Sequence, residues 1–186
     1  QVRFVDNRVL VGSEAIDWPV FVQAAYMQRV SLSSSGFYAT PKIDYDYAKG
    51  QGHPFLYYAN GAACSEVVID TLTGEYRVLR TDILHDVGQS LNPAIDIGQI
   101  EGGFVQGMGW LTTEELVYDS AGRLLTSGPA TYKIPAVSDT PADLRVALLE
   151  HSPNPEPTIL RSKAVGEPPF MLGISVWCAL RDAIAS

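Results

Sequence analysis

Glu167 has the most constrained setting of any carboxylate in this sequence: it follows Gly166, precedes Pro168 and Pro169, and opens an apolar run. Glycine lets the backbone approach another group closely. The proline ring disfavours helical geometry at the preceding residue, so Glu167 is expected to be extended and aimed by a stiff main chain. A carboxylate set against apolar surroundings has a raised pKa and can serve as a general base. The same residues also fit a simpler role, an acid complementing the dipole at a helix start. Composition alone leaves both readings open and favours the simpler one.

A second candidate is Asp96–Gly109, DIGQIEGGFVQGMG, with five glycines in a helix-like stretch. Each costs a helix about 1 kcal/mol relative to alanine, so something there requires small residues. Either another backbone packs closely, or a ligand lies against the amino-terminal end, where free N–H groups attract phosphate. The glycine spacing fits neither a Walker motif nor a Rossmann fingerprint. Packing alone is the commoner explanation.

The remaining polar residues are less informative. His53, His85 and His151 are scattered without metal spacing and read as structural or exposed, so no metal-binding residue is assigned. Cys64 and Cys178 lie far apart with no CxxC spacing and point to neither a disulfide framework nor a zinc or iron–sulfur site. Both read as small core residues. Ser33, Ser34 and Ser35 with Gly36 form a polar turn that fits either a plain loop or a cofactor contact. Tyr45, Tyr47, Phe55, Tyr57 and Tyr58 fit packing better than base stacking. No Ser–His–Asp set is readable from spacing.

The elements that must position these groups mix strands and helices without a regular βαβ rhythm, so the expected class is α+β with mixed sheets. Phe4–Val11 alternates around Asp6-Asn7 and predicts a tight hairpin. Ser13 reads as an N-cap for a helix over Glu14–Arg29, although Pro19 belongs in a first turn and moves the start nearer Asp17. Ser31–His53 reads as a long extended excursion. Strands are expected at Phe55–Asn60, Ala62–Asp70 and Tyr76–His85, the last two joined by a Gly-containing turn. A helix runs from Asn92-Pro93 to about Leu116, a hairpin over Val117–Ser127 turns at Ala121-Gly122, and Leu144–Glu150 is a strand. SPNPEP is a rigid polar loop, and Pro168–Ala185 a buried helix.

The composition is that of a globular chain, 46% apolar and 18% charged, of one domain or two closely packed lobes. Its 13 basic against 21 acidic residues give a formal charge of −8 and no basic run, which argues against nucleic-acid binding. The most apolar stretch, Phe170–Ala185, falls short of the roughly 20 residues a membrane span needs, and Arg181 and Asp182 interrupt it. The chain opens on a strand pair without an initiator methionine and reads as a fragment, so the absence of a visible signal peptide decides little; the expected localisation is cytoplasmic.

Five blocks occur in order: GFYATP (36–41), ACSEVVIDTLTGE (63–75), DVGQSLNPAIDIGQIEGGFVQGMG (86–109), GPATYKIPA (128–136) and SKAVGEPP (162–169). Together they closely resemble the last part of the molybdopterin-binding region of the xanthine dehydrogenase and aldehyde oxidase family. The likeness runs from about Val30 to the end, and the first thirty residues fit the preceding helix of that region. It implies that residues 1–186 are a carboxy-terminal portion of a larger molybdenum cofactor-binding region. It further implies hydroxylation of xanthine or hypoxanthine with water as the oxygen source. Glu167 would then be the catalytic base, taking a proton from a molybdenum-bound hydroxyl, with Gln99 contacting the pterin and Gly166 lying near the metal. The implied cofactors are molybdenum–molybdopterin, shared with segments outside this chain, and FAD and 2Fe–2S clusters elsewhere in the enzyme. The implied partners are the purine substrate, the rest of the molybdenum subunit and the iron–sulfur and flavin portions, in an oligomeric assembly. Two alternatives stand beside this: an aldehyde oxidase-type hydroxylase, and a non-catalytic domain supporting a partner subunit.

Overall fold

The computed structural model describes all residues, Gln1–Ser186, and divides them into two compact units, Gln1–Pro41 and Lys42–Ser186. The class is α+β with mixed sheets, as expected. In the first unit β1 (Val2–Val5), β2 (Arg8–Val11) and β3 (Glu14–Asp17) form an antiparallel meander, followed by α1 (Trp18–Met27). Asp6 and Asn7 both take positive φ, 49° and 57°, which a two-residue hairpin turn requires. The helix begins at Trp18 with Asp17 as its N-cap, the start that Pro19 predicts, whereas Ser13 caps nothing and Glu14–Asp17 is a strand. Pro19 fixes that boundary, because proline is tolerated only in the first turn of a helix. The residues before it pair with β2 in the register Val11↔Glu14 to Arg8↔Asp17.

The second unit is built on β6 (Gly61–Ile69), β7 (Tyr76–His85) and β8 (Asp143–Leu148). The strand β7 is central, antiparallel to β6 and parallel to β8. An antiparallel pair can close through a tight turn: Gly74 donates to the Asp70 carbonyl at 2.7 Å, and the Asp70 carboxylate caps Leu72 N–H at 2.8 Å. A parallel pair needs a crossover, and this one contains α2 (Pro93–Thr112). Asn92 caps α2 by accepting from Ile95 N–H. Buried residues Ile100, Gly103, Phe104, Gly107 and Met108 recur at helical spacing, so one stripe of α2 faces the core. That core joins Val78, Ile83, Val87, Ile100, Phe104, Met108 and Val176, the last from α3 (Ile174–Ala185).

Several boundaries differ from expectation. The long excursion contains a small hairpin, β4 (Asp44–Asp46) and β5 (Gln51–His53). No strand forms at Phe55–Asn60, because its polar groups pair elsewhere: the Tyr58 carbonyl with Lys163, the Asn60 carbonyl with the Asp86 N–H, and the Tyr57 hydroxyl with the Ala164 N–H. The hairpin at Val117–Ser127 is reduced to a single bridge, Tyr118↔Leu124, with Gly122 turning it at φ +78°. The helix expected to reach Leu116 stops at Thr112, where Thr113 caps it. The final helix is split into a 3-10 helix, Pro168–Gly173, and α3. Both cysteines are exposed rather than core residues, Cys64 lying on the outward side of the alternating strand β6.

Candidate active site

The candidate groups come together where the 3-10 helix Pro168–Gly173 packs on α2. Glycine makes this approach possible. A Cβ at Gly107 would overlap the Phe170 carbonyl, and one at Gly173 would lie 2.5 Å from the Gly107 carbonyl carbon. One turn earlier, a Cβ at Gly103 would meet the Gly166 carbonyl oxygen and Pro169 at 3.1 Å. Gly98 and Gly102, by contrast, have nothing within 4 Å of a Cβ position. The glycine-rich helix therefore has a packed stripe and an open one.

Gln99 sits one turn ahead of Gly103, and its Oε1 lies 3.5 Å from the Cβ position of Gly166. Gln99 and Glu167 are both exposed, and neither side chain is hydrogen-bonded or ion-paired within the chain. Gln99 is thus brought from a distant part of the sequence to the Gly166–Glu167 edge, where its amide is free to donate and accept and the exposed Glu167 carboxylate is unpaired. The backbone at Glu167 is not extended as expected: φ −98° and ψ −35° put it in the helical region. Its carbonyl accepts from Phe170 N–H at 3.0 Å, so entry into the 3-10 helix overrides the bias imposed by Pro168. Glu167 is also exposed on the surface of this chain rather than buried.

Behind this edge lies an ion pair that spacing gives no hint of, Asp86 with Lys163, both side chains 7% exposed. Burial pushes the Asp86 carboxyl upward. Hydrogen bonds from Lys163 and the Gly88 N–H, with the Lys163 charge, outweigh it and hold the group below its ordinary 3.8. Next to it His85 is buried, its Nδ1 has no partner, and burial pushes the imidazole below 6.5. His53 and His151 are exposed, and no group of three or more His, Cys, Asp or Glu is arranged to hold a metal ion. Ser33, Ser34, Ser35 and Gly36 belong to the other unit and are exposed. No helix is long and apolar enough to cross a membrane.

Known proteins share this sequence and this fold. The chain is 56% identical to xanthine dehydrogenase/oxidase of Felis catus over 169 residues, 91% of this chain and 13% of that protein. It is 56% identical to xanthine dehydrogenase of Dictyostelium discoideum over 164 residues, 87% of this chain and 12% of that protein. Aldehyde oxidase 1 of Cavia porcellus is 52% identical over 169 residues, 91% of this chain and 13% of that protein. The chain thus spans about an eighth of the length of these relatives. Among solved structures, quinoline 2-oxidoreductase from Pseudomonas putida 86 superposes at a TM-score of 0.68 with 30% identity, over 99% of this chain and 23% of that one. Residues 1–141 match the family described as the molybdopterin cofactor-binding domain, and the chain belongs to that family.

Proposed function

We propose that this chain forms one wall of the active site of a molybdenum hydroxylase acting on xanthine or hypoxanthine, with Glu167 as the general base. The observation that carries the reading is the clustering of Gln99, Gly166 and Glu167 on one exposed edge, held by glycine-mediated contact between α2 and the 3-10 helix. The residues fit the cofactor the family is named for. Gln99 offers both a donor and an acceptor to a pterin edge, neither used within the chain, and Gly166 keeps the approach free of a side chain. Bound there, molybdenum–molybdopterin would supply Lewis-acid and two-electron redox chemistry. The protein's part is to orient and to move a proton. Glu167 accepts at a carboxylate oxygen the proton lost as a water-derived oxygen becomes nucleophilic toward an electron-poor ring carbon. Gln99 fixes the cofactor in reach of that carboxylate.

The purine assignment is supported by relatives named xanthine dehydrogenase, and the aldehyde alternative by the 52% likeness to aldehyde oxidase 1. Comparing turnover of xanthine and an aromatic aldehyde by the same preparation separates them. The chain then works as one portion of a larger cytoplasmic, oligomeric enzyme whose other parts carry FAD and 2Fe–2S clusters and take the electrons onward. The decisive variant is Glu167→Gln in the full-length enzyme, which keeps size and removes basicity. General-base catalysis is worth about 10²–10⁴-fold, so kcat for xanthine should fall by that factor with molybdenum content unchanged. A kcat close to that of the parent enzyme overturns the assignment and leaves a supporting, non-catalytic role.

A further inference from the structure

We propose that Lys163 and Asp86 form a positioning pair that sets the direction of the Gly166–Glu167 segment, an inference that rests on Glu167 being the base. The two residues lie on the stretches of chain that lead to the candidate groups. From Asp86 the backbone runs through Gly88 and Gln89 to Asn92, the cap of α2, and on to Gln99. From Lys163 it runs through Val165 to Gly166 and Glu167.

These stretches are joined closely. Lys163 Nζ donates to an Asp86 carboxylate oxygen and to the Tyr58 carbonyl at 3.0 Å, while the other Asp86 oxygen accepts from Gly88 N–H at 2.8 Å. Lys163 N–H donates to the Val87 carbonyl at 2.8 Å, and Gln89 N–H to the Arg161 carbonyl at 2.9 Å. Gly88 has φ +66°, and a Cβ there would lie 2.6 Å from the Arg161 carbonyl oxygen, so only glycine permits the contact. Leu160 and Arg161 take left-handed φ values of 50° and 60°, a conformation kept by its surroundings. The last residue fixed in this way is Ala164, whose N–H donates to the Tyr57 hydroxyl at 2.9 Å. Glu167 follows three residues later.

Stability alone does not call for two buried charges, since a well-packed apolar pair generally serves as well. Charges do specify register. A slip of one residue would leave an ammonium and a carboxylate buried and unpaired, and would move Glu167 by about 3.3 Å. Displacements of about 1 Å in a reacting group are enough to cost around 10²-fold in rate.

The test is a double-mutant cycle in the full-length enzyme with Lys163→Met, Glu167→Gln and both, reading kcat, KM, molybdenum content and amide hydrogen exchange. Lys163→Met should lower kcat about 10- to 100-fold with KM and molybdenum nearly unchanged, and residues 162–167 should exchange faster. In the Glu167→Gln background it should cost less than about 2-fold, because its effect acts through the base. A full multiplicative loss in that background, or unchanged exchange and kcat, overturns the proposal. If Lys163→Met does not accumulate, the neutral pair Asp86→Asn with Lys163→Gln carries the same expectations. Near-parent kcat in Glu167→Gln would instead overturn the base assignment. The exchange rates at 162–167 would then decide by themselves whether the pair directs this segment.

Discussion

The two stripes of α2 carry the same residue type for opposite reasons. Gly103 and Gly107 are buried where the 3-10 helix crosses, and a side chain there would collide with the backbone of Gly166 or Phe170. Gly98 and Gly102 face open space, and nothing within the chain demands their small size. The packed stripe accounts for how Glu167 is brought to Gln99. The open stripe borders a cleft with Thr140, Pro141 and Leu144, whereas the exposed, unpartnered amide of Gln99 heads the packed stripe, one turn ahead of Gly103. Packing therefore accounts for Gly103 and Gly107, and no contact within the chain accounts for Gly98 and Gly102.

That contrast breaks most visibly at Gly107. Gly107→Ala should destabilise the protein by about 3 kcal/mol, at the upper end of overpacking costs, because the obstacle is the Phe170 main chain rather than a mobile side chain. Thermal unfolding or soluble yield reads this, and an unchanged midpoint would mean the helices sit further apart than described here. A smaller effect comes from the buried imidazole of His85. Burial depresses His85 below 6.5, so the unfolded chain binds a proton that the folded chain refuses. Stability should therefore be complete above about pH 6.5 and decline as pH falls from there toward the lower folded value, by at most about 1.4 kcal/mol per pH unit. Unfolding midpoints between pH 5 and pH 7 should show the slope, and His85→Leu should flatten it.

At Gln99, ahead of the packed stripe, the expected changes are in binding and not in folding. Gln99→Ala removes an exposed amide, so unfolding should shift by less than about 0.5 kcal/mol. Losing hydrogen bonds of about 1 kcal/mol should lower molybdopterin content of the purified full-length enzyme several-fold at limiting cofactor. Unchanged content with unchanged activity would detach Gln99 from the site. The smallest effect is Gly98→Ala, which should stabilise the chain by about 0.8 kcal/mol through helix propensity alone. Should it destabilise as much as Gly107→Ala, the distinction between the stripes disappears.

Periodicity made the sheet strands β6 and β7 and the helix α2 legible, since their alternation and capping signals are local. The failures have physical causes. Glu14–Asp17 lacks a pattern that separates strand from helix, and only its pairing with β2 decides. Phe55–Asn60 has strand composition but spends its polar groups on Asp86, Lys163 and Ala164, which are remote in sequence. Glu167 was singled out by its neighbours, Gly166 and Pro168, yet its helical backbone depends on the turn that Phe170 closes. Gln99 and Gly166 came from the resemblance, and nothing local distinguishes Gln99 from Gln106. The Asp86–Lys163 pair spans 77 residues, a separation at which spacing carries no signal.

The most direct measurement is an anomalous difference map, collected at the molybdenum absorption edge, from crystals of the full-length protein. The expected result is a peak beside the edge formed by Gln99, Gly166 and Glu167. A peak remote from that edge, with Glu167 facing only solvent or a neighbouring segment, would contradict the assignment of this surface to catalysis.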